Sequence, residues 1–156
     1  MVTHGISFGF EKSNFSQSSF TFFDDNYNEI KINNATGDGL AGDFSDIMLE
    51  KVYVENSKDD CLNFKKGNYY INNLIIKNCQ DRGISSGLSA NVKVKKLISD
   101  TSSISVYAKD SASVDLDSAL IKNPKYCYVA YRTLNTYGGG NIITNSKDFD
   151  CVKKTF

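Results

Sequence analysis

A chain of 156 residues with 18 basic and 18 acidic side chains is formally neutral, which fits one domain with its own core and argues against a polyanion such as nucleic acid as partner. It is 40% hydrophobic yet has no apolar run near the roughly 18–20 residues of a bilayer span, and Met1 does not lead into a signal segment, so no membrane insertion is expected. A single proline (Pro124), no tryptophan and an even scatter of Gly, Asn and Asp suggest a repeat.

The first regular motif is Ile30-x-Ile32 closing on Asn34. It returns as Val52-x-Val54 before Asn56, Leu74-x-Ile76 before Asn78, a looser Leu97-x-Ser99 before Thr101, and Ala119-x-Ile121 before Asn123, with closing residues spaced 22, 22, 23 and 22. Each copy is followed by a small or turn residue leading into an aliphatic: Gly39-Leu40, Cys61-Leu62, Gly83-Ile84, Ser105-Val106 and, after Cys127, Tyr128-Val129; Gly5-Ile6 is an earlier member. A third series, Ile47/Leu49, Tyr69/Ile71, Val92/Val94 and Val114/Leu116, precedes polar pairs such as Glu50-Lys51 and Asn72-Asn73. Alternation of period 2 is strand spacing, and no helical stripe competes with it. Three strands in about 22 residues are too short to pair as hairpins. Each can instead pair with its counterpart in the next repeat, about 4.8 Å away, which describes a solenoid of about six coils. Asn suits the bends because it tolerates left-handed backbone conformations.

These motifs, an Asn-containing bend, I-x-I, Asn, then G-I, resemble the right-handed parallel β-helix repeats of the pectin-lyase-like superfamily over roughly residues 5–152. The resemblance implies an all-β, right-handed, single-stranded parallel β-helix, with any active site on the outer face of one sheet. It does not choose among lyases, hydrolases, epimerases, phage spikes and non-catalytic surface modules. Extracellular or cell-surface location follows from the resemblance alone.

Two places break the register of this single domain, 1–156. Ile6 to Leu40 spans 34 residues, so about 12 around 11–19 leave as a loop, and residues 131–141, with Gly138-Gly139-Gly140, form an irregular, mobile turn. The aromatic stretch Phe8 to Phe23 is read as a plug over the first coil, or else as a docking patch. A strand begins almost at once, at Ile6, and another lies near the end, at Val152, which suggests a piece of a longer protein or reliance on a partner.

The residues before the G-I ladder form one chemically capable row: His4, Asp38, Asp60, Arg82, Ile104 and Cys127, with Asp59 and Asp81 one place earlier. Paired carboxylates could flank a sugar bond as acid and base, with Arg82 stabilising an anionic state, so Asp38, Asp60, Arg82 and His4 are the catalytic candidates. Asp59, Asp60 and Asp81 could hold calcium, the one cofactor in view. Against catalysis, the coil at Asp81-Arg82-Gly83 lacks the Gly-His-Gly of polygalacturonases, Arg82 lacks the basic neighbours of pectate lyases, and an Asp-Arg column is commonly a salt ladder. The outward residues of the next strand, Ala41, Asn63, Ser85, Tyr107 and Ala130, are mostly small. Asn63, Tyr107 and Tyr131 are the candidates for sugar contact. The four cysteines, Cys61, Cys79, Cys127 and Cys151, share no column and are read as free thiols.

The preferred reading is a non-catalytic module of a surface or polysaccharide-related protein, with carbohydrate, other domains of a longer chain, or further copies of itself as partners. A polysaccharide-active enzyme using the Asp/Arg row is the alternative, and an oligomeric spike or adhesin segment with Tyr53 and Tyr70 as contacts is another.

Overall fold

The computed structural model describes residues 29–145 and the short strand Lys154–Thr155. His4, the expected loop at 11–19, the phenylalanine cluster, Cys151 and Val152 lie outside the described residues. Among the described residues eight strands follow one another: β1 (Ile30–Asn33), β2 (Leu40–Ser57), β3 (Leu62–Gly87), β4 (Asn91–Lys109), β5 (Ser113–Lys122), β6 (Tyr126–Tyr131), β7 (Asn141–Thr144) and β8 (Lys154–Thr155). All pairings among them are parallel. They stack as a β-solenoid of about 5 turns with a repeat of about 22 residues. No helix among the described residues is long and apolar enough to cross a membrane.

The long strands run around corners. Between β2 and β3 the register pairs Leu40 with Leu62, Ile47 with Tyr69 and Val52 with Leu74, but Phe44, Glu50 and Asn56 are skipped. Those three positions bend a coil into three short straight segments. Phe44 and Asn56 have positive φ, as do their counterparts Lys66, Leu88 and Asp110 at the first corner and Asn34, Asn78, Thr101 and Asn123 at the last. Left-handed backbone costs an ordinary L-residue roughly 1–2 kcal/mol, and Asn less because its amide bonds locally. At the last corner the amides also bond each other: Asn56 Nδ2 donates to Asn34 Oδ1 at 3.1 Å and Asn78 Nδ2 to Asn56 Oδ1 at 3.0 Å. Thr101 interrupts this ladder, and Asn123 Nδ2 donates instead to Asp100 Oδ1 at 2.9 Å.

Inside, each aliphatic stacks on its counterpart. Val52, Leu74 and Leu97 form one column and Val54 and Ile76 another, all at most 2% exposed. Burying such side chains contributes about 1.5–3 kcal/mol apiece. Volume is balanced between rungs. Phe64 and Tyr69 stack at 4.1 Å, and Gly42 in the coil below leaves room for them, since a Cβ there would come within 2.6 Å of the Tyr69 ring. Tyr69 is therefore core, its hydroxyl donating to Lys66 O at 2.8 Å. The glycines before Leu40 and Ile84 have a similar cause, because a Cβ on Gly39 would collide with Val54 Cγ1 and one on Gly83 with Ile76 Cδ1.

Two sequence expectations are corrected. Val106 pairs with Tyr128, not Val129, so the aliphatic ladder from Leu40 keeps 22 throughout and buried Tyr128 takes the last rung. Backbone hydrogen bonding sets the register, and the apolar ring of Tyr128 fills the place an aliphatic would. Among the described residues the cysteines are not free: Cys61 and Cys79 form a disulfide with Cα atoms 5.4 Å apart, and Cys127 is disulfide-bonded as well. Cys79 stacks over Ser57 rather than over Cys61. The corner at residues 57–61 turns back beneath it, so the bridge runs diagonally between columns, a neighbour relation that same-column reasoning overlooks.

Between β6 and β7 the chain leaves the register. This turn is tied down by Asp110, whose carboxylate accepts from the backbone N–H groups of Thr133 and Leu134 at 2.7 and 2.8 Å, and by Gly140 N–H donating to Tyr131 O at 2.8 Å.

Two outcomes test this account. Asn56→Gly keeps the backbone freedom but loses the amide ladder, whereas Asn56→Ala loses both, so urea unfolding should rank wild type above Gly above Ala, the last lower than wild type by about 2 kcal/mol. Cys79→Ser should lower stability by about 3 kcal/mol on the loop-closure argument for a separation of 18 residues, and non-reducing peptide mapping should link the Cys61 and Cys79 peptides.

Candidate functional site

The polar row lies where each coil enters its first strand. Its spacing places Asp38, Asp60 and Arg82 on successive coils, and backbone bonds such as Gly39 N–H to Asp60 O (2.9 Å) and Cys61 N–H to Arg82 O (2.8 Å) hold that spacing. Above Arg82 the column continues to Ile104 and then Tyr126. Cys127, expected in that place, sits one position later for the same reason that Tyr128 replaces Val129.

Each carboxylate caps the coil above it. Asp38 Oδ1 accepts from the Asp60 N–H at 3.2 Å and its Oδ2 from Asn63 Nδ2 at 2.8 Å. Asp60 Oδ1 accepts from the Arg82 N–H at 3.1 Å, while its Oδ2 is 3.3 Å from Arg82 Nη1. Arg82 reaches Asp81 through Nη2 at 3.1 Å and lies over the Tyr107 ring at 4.5 Å. Its Nε is buried without a hydrogen-bond partner. Arg82 thus joins three neighbours rather than projecting alone.

Asp60 is 2% exposed. Desolvation pushes its pKa up to about 6, opposed by Arg82 and by a hydrogen bond from Ser85, with Asp38 and Asp59 adding to the rise. Asp59 is exposed, but its pKa is also raised, by desolvation first and then by Asp38 and Asp81. Asp110 supplies a contrast. Its desolvation is outweighed by hydrogen bonds from Thr133 and Leu134, and its pKa is lowered.

The carboxylates that converge are those of Asp38, Asp59 and Asp60, with ligand atoms within 4.8 Å of one another. Asp81, expected in the calcium set, turns to Arg82 instead. Calcium takes 6–8 oxygens, so three carboxylates would need water to complete its shell, and the ion would compete with the Arg82 guanidinium for Asp60.

The sugar-contact candidates occupy different settings. Asn63 is half-buried and donates to Asp38, Tyr107 is 8% exposed beneath Arg82, and Tyr131 is 43% exposed at the end of β6. In the outward column Tyr107 stacks on Val129, so Ala130 belongs one position later.

A different concavity was missed from sequence. It follows the Asn corner along the solenoid, has a volume of about 620 Å³, and includes Asn56, Asn78, Thr101, Lys58, Gln80 and Lys125 in its lining. The closing Asn series was its signal, but those residues looked sufficiently explained as bends. No family model matches the chain, nor does any curated protein or solved structure.

The Asp60 carboxyl binds its proton more tightly folded than unfolded, so its contribution to stability is greatest below its ordinary pKa of 3.8 and falls as pH rises to about 6. That difference corresponds to about 3 kcal/mol at 1.36 kcal/mol per unit. Asp60→Asn, which cannot titrate, should gain stability relative to wild type across this interval, a trend read from urea midpoints at matched ionic strength.

Proposed function

We propose that the chain is a non-catalytic β-solenoid module of a surface or polysaccharide-related protein, whose stacked coils present a rigid, carbohydrate-associated surface. The observation that carries this reading is the engagement of the polar row. Asp38 and Asp60 accept backbone N–H groups of the next coil, and Arg82 is shared among Asp60, Asp81 and Tyr107. A general acid or base must reach a substrate proton, and an oxyanion stabiliser must keep donors free for the developing charge. Here those valences serve the solenoid, apart from Arg82 Nε, which is buried without a partner. A catalytic Asp would also need substrate access, which 2% exposure denies Asp60.

One observation favours the polysaccharide-active alternative. The pKa of about 6 at Asp60, with Asp59 and Asp38 nearby, is the property of a carboxyl that keeps its proton into the mildly acidic range. The two readings differ in turnover. Incubation with neutral and uronate polysaccharides, with and without calcium, should yield neither new reducing ends nor unsaturated products. Turnover by wild type that disappears in a folded Asp60→Asn variant would establish the enzyme reading instead.

A further inference from the structure

The asparagine corner has unused bonding capacity. A carboxamide has two N–H donors and two acceptor lone pairs, and the ladder through Asn34, Asn56 and Asn78 takes one of each from the middle amide. Asn56 therefore retains a donor and an acceptor, Asn78 retains its acceptor oxygen, and all three amides are exposed. They form one wall of the groove of about 620 Å³, and Ser57, Cys79 and Ser102 lie in the column beside it. Lys58, Gln80 and Lys125 line the same groove.

Charge along this groove departs from that of the chain. The whole chain is neutral, but the lining residues include two lysines and no Asp or Glu. Lys58 and Lys125 are exposed, and neither forms an ion pair among the described residues. Lys58 and Lys125 stand beside the same corner three coils apart, with Gln80 and Ser103 near it on the coils between, so the backbone positions of the two lysines are about 14 Å apart. The rise per coil is comparable to the length of one pyranose ring in an extended chain. Successive sugars could therefore meet successive rungs of amide and hydroxyl, with negative groups at the lysines. An extended peptide advances by a longer two-residue period along the same axis and would lose register with the rungs.

We propose that this corner groove binds an extended anionic glycan lying along the solenoid axis, an inference resting on the polysaccharide-related reading above. It places the glycan away from Asn63, Tyr107 and Tyr131. The amides supply hydroxyl recognition and the lysines select for charge, so affinity should fall with added salt.

The test is calorimetric titration of the full chain with three hexasaccharides: oligogalacturonate (carboxylate on each ring), chondroitin sulfate (carboxylate and sulfate) and cellohexaose (neutral). Both acidic hexamers should bind about tenfold or more tightly than cellohexaose, and Lys58→Gln/Lys125→Gln should remove that advantage while circular dichroism stays unchanged. Binding of one acidic hexamer alone, still lost in the double variant, supports the site and identifies carboxylate or sulfate as its anion. Acidic hexamers that bind the double variant undiminished but are lost in Tyr131→Ala would overturn the groove and leave the polysaccharide-related module standing. Absence of binding to all three at millimolar concentration would overturn both.

Discussion

Every position in this solenoid must be compatible with a near copy of itself about 4.8 Å away. That constraint organises the molecule. Aliphatics meet it without cost, since a Val on a Leu buries both, and the columns Val52-Leu74-Leu97 and Val54-Ile76 are almost completely dry. Amides meet it by bonding to one another, which is why the left-handed corner holds Asn three times in succession, where Gly would satisfy the backbone but not the neighbour. Large rings meet it only if a small residue lies above or below, as Gly42 does for Phe64 and Tyr69.

Carboxylates meet the constraint least easily, because like charges stack on like. The Asp38-Asp60-Arg82 column resolves this by placing a cation third and by turning each carboxylate toward the backbone N–H above. The solution is incomplete at Asp60, where desolvation exceeds what Arg82 and Ser85 return and the pKa rises to about 6. Asp110 exposes as little area but is less deeply set, facing a turn in which Thr133 and Leu134 converge on it, and its pKa falls. The two aspartates differ both in how deeply the carboxyl is set and in the donors that face it. A raised carboxylate pKa in a repeat of this kind therefore has a structural origin, burial of the carboxyl within the stack with neighbouring carboxylates adding to it, before it has a catalytic one.

The fold was legible because its signal is repeated: a closing Asn every 22 or 23 residues and three alternations per coil specify stacked parallel strands without any single motif being decisive. What failed to read correctly lies at the last rung of one column and between columns at the bends. Tyr128 was passed over for Val129 because aliphatic character was matched more closely than chain distance, yet one residue of slip would turn the next strand inside out. The Cys61-Cys79 bridge joins different columns across a corner, and the convergence of Asp38 with Asp59 and Asp60, to the exclusion of Asp81, depends on where Arg82 turns its guanidinium. A register defines which residues stack; side-chain direction at a bend is set by the corner itself.

The same distinction bears on where a ligand would meet this surface. At the Asp row the carboxylates of Asp38 and Asp60 are engaged within the solenoid, and the aromatic ring at Tyr107 is covered by Arg82. At the Asn corner, stacking uses only part of each amide. Self-complementarity at one rung spacing satisfies the fold with a single donor and acceptor per interior Asn, and the remainder faces a groove with the same period. A ladder that stabilises coils by repeating one polar group thereby presents a repeated polar surface, suited to a polymer whose own repeat is near the rise per coil. The structural role of the asparagines and the recognition proposed for them draw on different atoms of the same side chains.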